Sequence, residues 1–160
     1  MAGVVVRHAD DADRAWVADQ LAAHHWRPVA RRGSVVDPLD HPVLVAEQDG
    51  ERVGHLSYVI AGGECEILTL LATRRRSGIG SALVEAVRAM ARERECRRLW
   101  VLTTNDNLDA LRFYQRRGFR LSALRPGAVD DSRARLKPTI PPLGEYGIPI
   151  RDEIELTQEL

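Results

Sequence analysis

Residues 67–80 read Ile-Leu-Thr-Leu-Leu-Ala-Thr-Arg-Arg-Arg-Ser-Gly-Ile-Gly. Ile67 to Ala72 is an apolar run of strand length. Three arginines follow it as a turn. From Gly78 to about Glu95, Ile79, Leu83, Ala86, Val87 and Met90 recur at helical spacing, with Glu85, Arg88, Arg92 and Glu93 on the other side, which predicts a helix laid on a sheet. A strand feeding a glycine-lined turn and then a helix start gathers backbone N–H groups and the positive end of the helix dipole around one point, which suits a phosphate. The dinucleotide fingerprint wants a third glycine where Leu83 stands, and the phosphate loop of nucleotide hydrolases wants a Gly-Lys-Ser/Thr that is missing. What remains is Arg-x-x-Gly-x-Gly over Arg75 to Gly80, which also reads as a plain tight turn.

Working outward, Leu99 to Thr103 forms the next strand, and two strands joined by a long helix are parallel neighbours with a right-handed crossover. Leu108 to Arg117 then reads as a short helix stopped by Gly118, and Phe119 to Ala123 as a returning strand. Upstream, Val43–Glu47 and Arg52–Ile60 flank Asp49-Gly50, whose residues favour the positive φ of a two-residue hairpin. Ala61-Gly62-Gly63 leads into Glu64 to Ala72, giving three antiparallel strands in succession. The chain opens with Val4 to Val6, read as a short buried strand, and a helix over Ala12 to Ala23 capped by Asp10 or Asp11. His24 and His25 at its end read as dipole partners, and His55 as a packed or half-exposed strand residue. Arg27 to Pro42 and Arg125 to Gly147 read as long loops, the first with room for a helical turn. Ile148 to Leu156 reads as a last strand, with Ile150, Asp152, Ile154 and Leu156 on one face and Arg151, Glu153 and Glu155 on the other.

The 160 residues, 44% hydrophobic, suffice for one core, so a single domain is expected over 1–160. Lys+Arg and Asp+Glu balance at 23 each, which points away from nucleic acid and anionic membranes. Lys137 is the only lysine. No apolar run has signal-peptide or membrane-span character, and Cys65 and Cys96 stand singly, so a cytoplasmic setting is expected. No carboxylate or cysteine is spaced with the histidine pair as a zinc site requires, so no metal is expected.

Asn107-Leu108-Asp109-Ala110-Leu111-Arg112-Phe113-Tyr114-Gln115-Arg116-Arg117-Gly118-Phe119 follows the glycine turn after one helix and one strand. With both stretches present, the sequence resembles the GNAT superfamily of acyl-CoA-dependent N-acetyltransferases, most specifically over Leu68 to Phe119. The family's Gln/Arg-x-x-Gly-x-Gly/Ala signature is matched by Arg75, Gly78 and Gly80. Its downstream pattern is matched by Asn107, Ala110, Phe113, Tyr114, Gly118 and Phe119. The resemblance implies an α/β GNAT fold: a mixed, mostly antiparallel six- to seven-stranded sheet with a parallel step between strands 4 and 5, flanked by about four helices.

The resemblance also implies site roles. Acetyl-CoA would be the co-substrate, its pyrophosphate cradled by the turn from Arg75 and Arg76 through Ser77, Gly78, Ile79 and Gly80 to Ser81. Its pantetheine would run between the strands ending at Leu71 and Thr103, with a backbone N–H near Leu70 or Leu71 polarising the thioester oxygen. Asn107 matches a cofactor-contacting asparagine and is equally an ordinary N-cap. Tyr114 would touch the cofactor and protonate the leaving thiolate; otherwise it is a core aromatic. Glu66 matches a strand glutamate that accepts the amine's proton, with Glu64 or a water chain in reserve.

Direct attack by a primary amine, on a small molecule or a protein amino group, is the leading reading. A non-catalytic acyl-CoA-binding regulatory module is the alternative, and a nucleotide- or DNA-contacting domain is disfavoured by the neutral charge. Arg133, Arg135 and Lys137 in the basic loop offer either a contact for an acidic group or a solvated cover. Relatives often dimerise, so a homodimer stays open.

Overall fold

The structure, a computed structural model, describes residues 3–160. Among these described residues the fold class is the expected one: mixed α/β, with a seven-stranded, mostly antiparallel sheet, one parallel pair and four α-helices. The chain divides into two compact units, one comprising residues up to Pro28, Asp37–Leu99 and Leu160, the other Val29–Val36 and Trp100–Glu159.

In the first unit four strands run antiparallel in the order β1 (Val5–His8), β4 (Val43–Gln48), β5 (Glu51–Ala61), β6 (Glu64–Ala72). Asp49 and Gly50 both take positive φ, 54° and 78°, as the hairpin requires. Helix α1 (Asp11–Ala23) starts at Asp10, whose side chain accepts the Asp13 N–H while Asp13 accepts the Asp10 N–H, a reciprocal cap. Its end matches the reading of His24, whose Nδ1 lies 2.9 Å from Gln20 O. Helix α2 (Ile79–Glu93) buries Ile79, Leu83, Val84 and Val87 completely. It can approach β5 closely because residue 54 is glycine: a Cβ there would stand 2.7 Å from both Ile79 Cγ2 and Leu71 O. The other face of these strands packs on α1 through Val17, Leu21, Val43 and Val45, with Trp16, Trp26 and Leu39 against them.

One expectation needs correction in this unit, and one left open is decided. β1 is an edge strand with Val5 59% exposed, so its β-branched run reflects strand propensity and not burial. Of the two readings left open for His55, the packed one holds: it is fully buried, edge-on to Trp16 of α1 at 5.9 Å between ring centroids.

In the second unit the strand order is β7 (Arg98–Thr104, its first two residues in the first unit), β9 (Glu153–Glu159), β8 (Arg120–Arg125). The expected loop over Arg27 to Pro42 instead contains a hairpin, β2 (Val29–Arg31) and β3 (Ser34–Val36), turned at Arg32 and Gly33 with φ 48° and 74°. The helical turn anticipated there is a 3-10 turn at Pro38–Asp40, in the first unit. This hairpin makes the strands counted fourth and fifth from sequence β6 and β7 in chain order.

The expected loop over Arg125 to Gly147 holds helix α4 (Ala128–Arg135), which follows Gly127 at φ 73°. Arg133 does not offer a free basic patch. It donates to Asp130 at 2.9 Å and to the carbonyls of Ile140, Pro141 and Ile150 at 2.8–3.0 Å. Arg135 is likewise paired with Asp131.

The last strand starts at Glu153, five residues later than expected from Ile148. Before it, Asn105 holds the chain in place of a strand partner, donating to Pro149 O and accepting from the N–H groups of Arg151 and Asp152. The face carrying Glu153 and Glu155 is buried, because Arg125 pairs with both carboxylates and Arg32 with Glu155.

Candidate active site

In the first unit, Thr73 to Gly78 is an exposed turn between β6 and α2. Arg76 takes φ 54° and Gly78 φ 80°, the second allowed by the missing Cβ. Ser77 Oγ donates to Arg74 O at 2.8 Å, closing the turn, so its hydroxyl is spent on structure. Gly78 is the N-cap of α2 and supplies no side-chain acceptor. The helix's own bonds begin with Ala82 N–H to Gly78 O at 3.0 Å, and the N–H groups of Ile79 and Gly80 have no carbonyl in the helix to reach. No acidic residue occupies the first turn of α2, so its positive end is not offset from within the helix. Arg74, Arg75 and Arg76 are exposed beside it, and Arg74 approaches Glu51 only to 3.9 Å. The local chemistry suits an anion with several oxygens.

Along β6 the register identifies a second group of residues. Ser57 pairs with Thr69 but Tyr58 with Ile67, so Leu68 is an extra residue on β6, a β-bulge. Because cross-strand partners share a face, His55 and Leu71, Ser57 and Thr69, and Val59 and Glu66 line up on the side packed by α1. The Ser57 and Thr69 hydroxyls confirm this, lying 2.5 Å apart. Glu66 is 3% exposed. Glu64, the reserve base, instead pairs with Arg97 at 2.8 Å and Arg98 at 3.9 Å, which gives it a structural partner.

In the second unit, helix α3 (Leu108–Arg116) starts at Asn107, whose side chain accepts the Ala110 N–H at 3.1 Å. Its N-cap role is therefore real. Gly118 follows the helix at φ 92° and turns the chain back. Tyr114 is 5% exposed and sits edge-on between Phe113 and Phe119 at 5.0 and 5.2 Å. Burial pushes its phenol above the ordinary range, and Arg117, stacked 3.7 Å over Phe113, only partly counters this. The phenol stays protonated at neutral pH, the state a proton donor needs.

Residues 7–119 match the model of the acetyltransferase (GNAT) family. The chain belongs to the GNAT acetyltransferase family. It is 46% identical over 141 residues to the uncharacterized protein YdhI of Bacillus subtilis (strain 168), covering 86% of this chain and 87% of that one. Among solved structures, an IAA acetyltransferase from Bacillus cereus ATCC 14579 superposes with a TM-score of 0.71 at 22% identity, covering 99% of this chain and 100% of the other. A GNAT family acetyltransferase from Elizabethkingia anophelis with acetyl-CoA bound superposes with a TM-score of 0.72 at 20% identity, covering 98% of each. These two likenesses carry the fold alone.

Within this GNAT chain the residues singled out from sequence fall into two groups. Leu70, Leu71 and the stretch Arg75 to Ser81 lie at the end of β6 and the start of α2 in the first unit, with Glu66 further back on β6. Asn107 and Tyr114 lie in the second.

Sequence reasoning passed over two buried polar residues. His55 has no hydrogen-bond partner for either ring nitrogen among the described residues. Asp106, 4% exposed, accepts from Glu145 N–H at 2.9 Å and from the Thr104 hydroxyl, tying the chain near Gly144 to the start of α3. Its place between two asparagines in Asn105-Asp106-Asn107 was the available signal. Among the described residues no group of three or more His, Cys, Asp or Glu could hold a metal ion, and no helix is long and apolar enough to cross a membrane.

Proposed function

We propose that residues 1–160 form one N-acetyltransferase domain that moves an acetyl group from acetyl-CoA to a primary amine by direct attack. The observation that carries the proposal is the start of α2: N–H groups at Ile79 and Gly80 with no carbonyl in the helix to reach, no first-turn carboxylate, and exposed arginines beside them. Family membership supports acetyl-CoA as the ligand that brings the diphosphate, as does the acetyl-CoA held by the Elizabethkingia relative.

In this reading, N–H groups from Arg75, Arg76, Ser77, Gly78, Ile79, Gly80 and Ser81 take the pyrophosphate, and Leu70 or Leu71 offers an N–H to the thioester oxygen. Asn107 adds a polar contact to the cofactor. The acceptor enters as an ammonium, loses a proton to Glu66, and attacks the thioester carbonyl as a free amine. The carbon–sulfur bond then breaks, the thiolate takes a proton from Tyr114, and the acylated nitrogen gives up its second proton, which restores the Tyr114 phenol, while Glu66 passes its proton to water. The acceptor is a small-molecule amine or a protein amino group, and the setting is cytoplasmic, with a homodimer compatible.

The test is acetyl-CoA turnover against a panel of amines, read as free thiol. Release that depends on the amine supports the reading. Coenzyme A binding without release from any amine would favour a non-catalytic module.

A further inference from the structure

His55 is an unusual residue to leave in a core. It is fully buried on β5, flanked across the sheet by Val45 and Leu71, and Trp16 of α1 lies edge-on against it at 87° between ring planes. Neither ring nitrogen meets a partner among the described residues. A polar atom buried without a partner loses its hydration and gains nothing for it, and a leucine would fill such a space without that penalty. Burial also lowers its pKa to about 4, with His24 adding to the effect, so the ring is neutral at physiological pH and presents one donor and one acceptor.

His55 does not stand alone. On the same sheet face the buried hydroxyl pair of Ser57 and Thr69 comes next, and then Glu66. From His55 to Val59, the cross-strand partner of Glu66, is four residues, about 13 Å at ~3.3 Å per residue. A carboxylate at one end of this row and a neutral donor-acceptor ring at the other match a ligand with an amine at one end and a hydroxyl or carboxamide at the other. A carboxylate on the ligand would use only the ring's donor and leave its lone pair facing negative charge.

We propose that His55 is a specificity-determining residue for the acceptor, which is a primary amine carrying an uncharged donor-acceptor group, hydroxyl or carboxamide, that binds the imidazole. This rests on the acetyl-transfer reading for the role of Glu66. Trp16, half-buried and edge-on against the ring, covers His55, so the ligand reaches the imidazole only if the indole moves aside.

The probes are hexylamine, 6-aminohexan-1-ol, 6-aminohexanamide and 6-aminohexanoate, assayed with acetyl-CoA by thiol release on wild type, His55→Leu and His55→Gln. In wild type the alcohol and amide exceed the other two in kcat/KM by at least about tenfold, since a site built to bond a polar group discriminates against analogues lacking it. His55→Leu levels the four, and His55→Gln, which keeps a donor and an acceptor, recovers part of the preference. A wild-type ratio within about twofold, or a preference surviving in His55→Leu, overturns the proposal.

A second measurement follows the ¹⁵N resonances of the His55 ring during titration with 6-aminohexan-1-ol and with hexylamine. Movement with the alcohol alone supports the site; no movement means the ring is satisfied by water only and overturns it. Thiol release without movement sinks the His55 site and leaves acetyl transfer standing. Movement without release from any amine sinks acetyl transfer and leaves His55 as a ligand site.

Discussion

Asp13 Oδ1 lies 2.7 Å from Arg52 Nε, which joins the first turn of α1 to the start of β5. The same carboxylate takes Arg7 at 2.5 Å, and Arg7 continues to Glu47. Asp13 is fully buried while each arginine keeps about a third of its side chain in water. The Arg7 guanidinium, countered by burial and helped by Arg52, holds the Asp13 carboxyl far below its usual range. Asp13→Ala removes the charge, half of the α1 cap and the tie between two strands. It should destabilise by about 2–4 kcal/mol, discounted for the exposed arginines, as read by chemical denaturation. A loss below about 0.5 kcal/mol would mean the network is a surface ornament.

Acid should weaken the fold in a window set by His55. Its folded pKa, about 4, lies below the ordinary 6.5, so the unfolded chain binds more protons between those values and stability rises with pH across them. Going down, stability falls from about pH 6.5 to about pH 4, by about 3 kcal/mol in all. Asp13, also depressed, loses stability in the same direction but only as pH drops below the ordinary carboxylate range. Denaturation midpoints between pH 7 and pH 5 should therefore slope in wild type and flatten in His55→Leu. An equal slope in both would assign the effect elsewhere.

Gly80→Glu puts a carboxylate in the first turn of α2. For the helix this is favourable by about 0.3–1 kcal/mol, because negative charge complements the dipole there. For a diphosphate at the same place it is repulsive and bulky. Coenzyme A binding, measured by calorimetry, should be abolished while the melting temperature holds or rises. Undiminished affinity would remove the turn from the proposed site.

Tyr114→Phe keeps the ring between Phe113 and Phe119 and deletes only the hydroxyl. If the phenol is the acid, turnover should fall about 10²–10⁴-fold with coenzyme A affinity near wild type. Because burial raises the phenol's pKa, no loss of wild-type activity below pH 10 should trace to its ionisation. Turnover within twofold of wild type would return Tyr114 to a core role.

The parts of this molecule that sequence disclosed are those whose cause is local. Gly78, Asp49-Gly50, the Asp10 cap and Gly118 each answer to backbone geometry within a few residues, and the α2 pattern answers to one buried stripe. The parts that escaped depend on distant partners. Helix α4 is polar, with only Val129 and Ser132 buried, so no periodicity marks it. Alternation in β9 grouped Glu153 and Glu155 correctly but gave no sign that their face is the one buried by Arg32 and Arg125. His55 looked like any strand residue because its oddity is what surrounds it.

The hairpin β2–β3 gives the sharpest test of that long-range dependence. Its strands are three residues each, too short to persist on their own pairing. Arg32 anchors it three ways: its guanidinium stacks 3.8 Å over the Trp100 ring, pairs with Glu155, and its backbone N–H donates to Glu153 at 3.3 Å. Burial pushes the Glu155 carboxyl up, and bonds from Arg32 and Arg125 more than reverse this. Arg32→Ala leaves Glu155 with Arg125 and strips the stack, and should cost about 1–3 kcal/mol. The loss should be concentrated in the hairpin, with amide exchange of Val29 and Val36 accelerating more than that of β8 or β9. Arg32→Lys keeps the charge but neither the planar stack nor the fork, so it should recover less than half. Full recovery by lysine would show that charge alone holds the hairpin, and unchanged exchange in Arg32→Ala that the strands hold themselves.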